Sequence, residues 1–396
     1  MSFKAYPTTW AYHDAMRAAA ARWQRHGLLL PAQQAAIEAA YPVDYYRPSP
    51  LLRVGLFVAT LLSVGSLLLA LGISCKLHDE VVLGALTLVG SLVAAELFIK
   101  GSRHYHSGVD TALLYSALLA WQLLVFHYSH EPRHYEYTHR WWLAAPSAWQ
   151  PLLWLLGALL VALVRYADPV VAVVAFGTGL ALLFNGLLHV GAGQWLLPFG
   201  VMGVMVGLLF GLEKLPRRAD YSYYRSSSLV LRTLALAAFY LAGNYFVVRE
   251  GYAALLNHYG LLLNLPLAPL HYVLTAVVPL LYLYLGLRRH DRLLLGLGVL
   301  AVAFSIFTVR YYHALLPPEL AATLAGLVLM GLALAALRYL RTPRHGFTAA
   351  ADEEAPPRLN LEALVVAHTA HVPAAATPGF EFGGGRSGGG GAEAQW

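Results

Sequence analysis

Apolar residues dominate the chain from Leu51 to Leu340, gathered into ten stretches with short polar breaks between them. The stretches cover 51–73, 81–99, 109–127, 151–167, 169–188, 194–212, 229–248, 267–287, 293–312 and 319–340. A helix of roughly 20 apolar residues crosses the hydrocarbon core of a bilayer. A soluble core has no use for ten such lengths in series. In hydrocarbon every backbone N–H and C=O needs an internal partner, which leaves helices or a closed barrel. The alternating ten-residue segments of a barrel are absent. The pattern predicts an all-α fold, a polytopic transmembrane helical bundle of ten spans.

The flanking sequence follows other rules. Residues 8–40 read as two short helices. Thr8 or Thr9 caps the first, and Trp10, Met16, Ala19 and Trp23 form a weak apolar stripe along it. Gly27 ends that helix, Pro31 suits the first turn of the next, and the second stops before Pro42. Residues 1–50 are thus expected to be a cytoplasmic helical hairpin against the inner membrane face, with a protein partner on it as the alternative to a passive preamble. Residues 51–341 make the transmembrane domain, its first span acting as an uncleaved signal anchor. Residues 342–396 are rich in Ala, Pro and Gly, a composition that buries too little apolar area to offset ordering entropy. A disordered cytoplasmic tail is expected there. Gly385 to Gly389 match G-x-S-x-G, but no strand precedes them and no helix follows, so no nucleophile elbow is assigned.

Charge sets the orientation. Charged residues are only 12% of the chain against 58% hydrophobic, and they collect at the ends and in short loops. With the N-terminus inside, twenty-one of the 27 Lys and Arg fall on the cytoplasmic side and five outside, with Arg232 at the start of span seven. That asymmetry is the positive-inside pattern and gives N-in, C-in. It also accounts for the net charge of +6 without nucleic acid, which is not expected as a partner. The sole cysteine, Cys75, excludes an intrachain disulfide and any Cys-based metal site.

Trp23, Gly27, Leu28, Gln33, Ile37 and Tyr41-Pro42 lead into a first span containing Phe57. Near the other end, Arg310-Tyr311-Tyr312-His313 precedes Glu319 and a Gly-containing span closed by Arg338-Tyr339-Leu340. This layout resembles the bacterial membrane-protein family known as domain of unknown function 2157. The resemblance implies an inner-membrane protein and carries no activity, cofactor or substrate with it.

Polar groups at membrane depth are costly and mark candidate sites. Glu96 and Asp110 lie near the cytoplasmic interface at either end of one short loop. They are expected to anchor in headgroup water or to form a cytoplasmic-face pair. Asn185 and Asn244, with His189, lie deeper and suit hydrogen bonds between helices. Arg310 either snorkels outward beside Tyr311 and Tyr312 or pairs with Glu250 or Glu319 at an outer vestibule. The loop after span three carries His130, His134 and His139, weak candidates for a metal, and Pro132 disfavours the regular helix that would align them. Gly203, Gly207 and Gly211 form a small-xxx-small row suited to close helix packing. Gly296-x-Gly298-x-x-Ala301 imitates a dinucleotide fingerprint but has no strand before it.

No catalytic constellation with credible spacing emerges, and no cofactor is expected. The expected partner is the lipid bilayer. The expected function is a non-enzymatic inner-membrane protein, transporter-like or envelope-associated. The alternative is a membrane-embedded enzyme acting on a lipid or lipid-linked substrate at the outer face.

Overall fold

The computed structural model describes residues 3–76, 79–129, 146–190, 193–256 and 267–312, with scattered residues between 317 and 341. The chain divides into two units, Met1–Leu332 and Ala333–Trp396, and of the second only Leu334, Arg338 and Arg341 are described. The first unit holds twelve α-helices among its described residues. They are α1 (Thr8–Arg25), α2 (Pro31–Ala40), α3 (Pro50–Ser74), α4 (Glu80–Lys100), α5 (Val109–Ser129), α6 (Trp149–Tyr166), α7 (Pro169–Leu188), α8 (Gly193–Lys214), α9 (Tyr221–Gly243), α10 (Tyr245–Leu256), α11 (Ala268–Arg288) and α12 (Arg292–Tyr312). Nine of these, all but α1, α2 and α10, are long and apolar enough to cross a membrane. The chain is an all-α, multi-pass membrane protein. Span ten, 319–340, falls largely outside the described residues, as does the tail.

Helix starts follow the local chemistry. Asp79, Asp168 and Asp291 cap α4, α7 and α12, each accepting two amide hydrogens from the first turn. Neither Thr8 nor Thr9 caps α1. Pro7 takes that position, without a side-chain bond.

One span departs from its hydropathy. The apolar run 229–248 is not one helix: α9 ends at Gly243, and Asn244 stands in extended geometry before α10. The Asn244 side chain accepts from the amides of Phe246, at 3.0 Å, and Val247, at 3.3 Å, and so starts a new helix inside an unbroken apolar stretch.

Two larger packing regions organise the bundle, beside a small one around Tyr245 and Tyr252. The first gathers Tyr6, Trp10, Tyr45, Ile99, Tyr105, Leu159, Tyr166 and Tyr223 at the end where α4, α6 and α8 finish. Residues 5–6 and the first turn of α1 are therefore part of the core, and Ala19 and Ala20 are buried further along, whereas Trp23 at the far end of the α1 stripe is exposed and α2 buries no residue. The second lies between α9, α11 and α12, around Leu236, Tyr240, Val278, Tyr282, Leu294 and Ala301. In contrast, α3 has no buried residue. It is held at its start, where a Cβ on Gly108 would lie 2.3 Å from the Arg53 carbonyl oxygen. Gly108 also has φ +99°, so only glycine suits both the space and the backbone.

Candidate functional site

The loops assigned to the cytoplasm converge at one end of the bundle. The last carbonyls of a helix have no partner within it, and at α6 the rest of this end supplies them. Tyr223 donates to the Arg165 carbonyl, Tyr224 to that of Val164 at 2.9 Å, and Ser227 to that of Ala167 at 2.5 Å. The Ala5 amide also donates to the Arg165 carbonyl, at 2.9 Å, while the Arg165 guanidinium donates to the Phe3 carbonyl at 2.8 Å. Residues 3–6 are thereby stitched between α6 and α9. Lys4 adds an ion pair with Asp220 at 2.6 Å, which holds the Asp220 carboxyl below its usual range.

Glu96 and Asp110 do not pair with each other. Glu96 accepts from Arg165 at 2.5 and 3.0 Å and from Tyr166 at 3.1 Å, and it lies 2.9 Å from Lys100. Asp110 is only 1% exposed, which excludes the expected headgroup anchoring. It accepts from the Tyr6 hydroxyl at 2.5 Å and from the Ser107 amide and hydroxyl at 2.9 and 3.0 Å. A carboxylate so enclosed is tolerable because three donors replace its water. Burial first, then Asp110, raises the Tyr6 phenol well above its ordinary value. Burial raises Tyr105 to about 12 and lowers His106. Close by, buried Asp168 accepts from Tyr115 at 2.8 Å. Sequence reading missed Tyr6, Tyr115 and Asp168. Nothing local marks them, because their partners lie 53 to 104 residues away.

The helix break makes a second polar cluster, toward the opposite end. Asn244 is fully buried. Its amide donates to the Tyr240 hydroxyl at 2.9 Å and lies 3.2 Å from Thr308. Tyr240 continues to the Ala301 carbonyl and to Ser305, and Ser305 donates to the Thr275 carbonyl at 2.6 Å. The Thr275 hydroxyl receives the Tyr245 amide at 2.9 Å, one of the groups released by the break. Beyond it Tyr312 donates to Glu250 at 2.6 Å, and the Arg249 guanidinium sits 4.4 Å from the Tyr312 ring centroid. Glu250 thus bonds to the tyrosine two positions past Arg310. Arg310 itself is half-buried in the last turn of α12. Asn185 is buried in α7, and its carbonyl lies 2.7 Å from His189 Nδ1.

Gly203, Gly207 and Gly211 are exposed along α8, and a Cβ on any of them meets nothing within 4 Å. The close approaches are elsewhere: at Gly286 and Gly298 an added Cβ would lie 2.8 Å from the Leu295 nitrogen and 2.9 Å from Leu283 Cδ2. His130, His134, His139 and Glu319 lie outside the described residues, among which no group of three His, Cys, Asp or Glu is placed to hold a metal.

Two apolar crevices open on the flanks. One, of about 570 Å³, separates α3 from α4 and α5 over the halves remote from Asp110, between Leu61, Leu68, Gly84 and Leu123. Glu80 and His127 line it at the end of the bundle remote from Asp110, and Thr87 and Ser116 lie further along toward the middle of the helices. The other, of about 610 Å³, lies under α10 beside the break, against Phe184, Pro198, Ala242 and Tyr252. Both are within the size range of small-molecule sites and are lined mostly by apolar side chains. No protein-family model, no curated protein and no solved structure matches this chain.

Proposed function

We propose that the chain is a non-enzymatic, carrier-like protein of a bacterial cytoplasmic membrane, oriented N-in, which accepts an amphipathic, lipid-like molecule from the side. The observation that carries this reading is the crevice between α3 and the α4–α5 pair. Its wall is hydrocarbon, its mouth bears Glu80 and His127, and α3 is pinned at the inner end and unburied along its length. A hydrocarbon tail fits the interior, and a polar head meets the two titratable side chains at the mouth. The resemblance to domain of unknown function 2157 points to the same membrane.

Gly65 lines the crevice and a Cβ added there meets nothing within 4 Å, so Gly65→Trp introduces bulk into the site from an unobstructed backbone position. Lipid retained by the purified protein is counted by native mass spectrometry. The variant should keep the fold and retain one lipid fewer than the wild type. Equal retention by the two proteins would sink the reading. The alternative, a lipid-acting enzyme, draws on the same mouth, where Glu80 and His127 offer an acid and a base. Chemical change of the retained lipid during incubation would favour it, and unchanged lipid favours the carrier.

A further inference from the structure

A third cavity, of about 640 Å³, lies at the opposite, inner end, between residues 4–10, Asp44 and the end of α4. Three cations from separate segments line it: Lys4 in the N-terminal stretch, Lys100 in the last turn of α4, and Arg103 in the loop that follows. Its floor is apolar, with Ile99, Ala5 and Trp10. Each cation has a carboxylate near it, Lys4 with Asp220, Lys100 with Glu96 at 2.9 Å and Arg103 with Asp44 at 3.5 Å. The Lys100 and Arg103 side chains are 70% and 62% exposed, and ion pairs so exposed are weak enough to exchange partners. With Arg165 and Arg218, five cations stand against Glu96, Asp44, Asp220 and the buried Asp110 behind Tyr6, an excess of one positive charge.

Depth argues for a lipid. Lys100 ends a spanning helix, and Leu97 and Phe98 just before it are exposed apolar side chains. The cavity mouth therefore stands at headgroup level on the side that the loop charges assign to the cytoplasm. Basic pockets between spanning helices at that surface bind the head groups of anionic lipids.

We infer that this cavity binds the phosphate of an anionic inner-leaflet phospholipid, with Lys100 and Arg103 as the primary contacts and Lys4 behind them. Its walls join the N-terminal segment to α4, so a bound lipid ties the hairpin to the spanning helices. The site is independent of the outer crevice and stands whether or not the carrier reading does.

The test uses the full chain in nanodiscs of phosphatidylcholine with and without phosphatidylglycerol. Retained phosphatidylglycerol is read by native mass spectrometry and folding by circular dichroism. Wild type should retain phosphatidylglycerol over phosphatidylcholine. Lys100→Gln with Arg103→Gln should weaken that retention roughly thirtyfold. Arg217→Gln, at the same face but outside the cavity, should leave it unchanged. Equal retention by wild type and the double variant overturns the proposal. If the double variant fails to fold, Lys100→Gln alone, the more exposed change, decides by the same comparison. Inorganic phosphate and glycerol phosphate are added in parallel. A lipid site keeps its phosphatidylglycerol in their presence, whereas displacement by either at millimolar concentration assigns the site to a free phosphate and overturns the lipid.

Discussion

Asn244 does two jobs with one side chain. Its oxygen caps α10, and its amide nitrogen donates to Tyr240 in the last turn of α9 while lying beside Thr308 of α12. Asn244→Ala removes the cap and the network centre together, leaving the Phe246 and Val247 amides without that acceptor. A loss of about 1–3 kcal/mol is expected, read as a lower midpoint of thermal unfolding in detergent. Asp110 poses the complementary case, a buried carboxylate whose charge is offset by donors. Tyr6→Phe withdraws the 2.5 Å bond and leaves only Ser107 donors, so it should cost about 1–3 kcal/mol by the same measurement. An unchanged midpoint in Tyr6→Phe would mean that the N-terminal strap is not holding. Tyr105 supplies a pH dependence with a definite sign. Burial pushes its phenol up from the ordinary 10.0 to about 12 in the fold. The neutral phenol is what the folded state keeps, so this contribution is fully present below pH 10 and is lost as pH rises toward 12. Melting points taken between pH 8 and pH 11.5 should fall at the alkaline end by less in Tyr105→Phe than in wild type.

Elements were legible wherever hydropathy alone decides them. Eight of the first nine apolar stretches emerge as single helices, because a bilayer-length apolar run in hydrocarbon has no other way to satisfy its backbone. The exception, 229–248, shows the limit of that argument. A sum over a window sees Asn244 as one polar residue among apolar ones, whereas the break depends on two amide bonds and on Thr275 from α11 receiving the Tyr245 amide. Glycine patterns show the same limit. The row Gly203, Gly207 and Gly211 has the spacing of a packing face yet meets no described neighbour, while Gly286 and Gly298, on different helices, close α11 onto α12. Only the fold reveals which glycine faces a backbone. Gly286→Ala places a methyl 2.8 Å from the Leu295 nitrogen, which cannot swing aside, so the clash outweighs the gain in helix propensity. It should cost about 1–3 kcal/mol. Gly207→Ala meets open space and should stay within about 0.5 kcal/mol of wild type. Fluorescence-detected size exclusion after heating separates the two. Equal loss in both variants would mean that Gly207 packs against something the described helices do not supply.

At the scale of the whole molecule the question is sidedness. Loop charge and folded geometry bear on it independently. Lys4, Lys100, Arg103, Arg165 and Arg218 are assigned to one side by counting, and the fold gathers them with Glu96, Asp44 and Asp220 at one end of the bundle. Helix parity puts the end of α3 at the opposite end, and there stands Cys75, exposed and the sole cysteine of the chain. The protein thus carries its own topological reporter. In intact spheroplasts a membrane-impermeant maleimide should label Cys75 within minutes. A Cys75→Ser chain carrying Arg217→Cys, in the turn between α8 and α9, should react only after lysis. Labelling of both before lysis would show leaky cells and calls for a cytoplasmic control protein. The reverse pattern, Arg217→Cys labelled and Cys75 protected, would invert the molecule. It would put the N-terminal strap, with the buried Asp110 of α5 to which its Tyr6 bonds, on the outer surface, and with it the basic cavity assigned to the inner leaflet. Either clean result fixes which leaflet meets each cavity, because Cys75 and Arg217 lie at opposite ends of the same set of spanning helices.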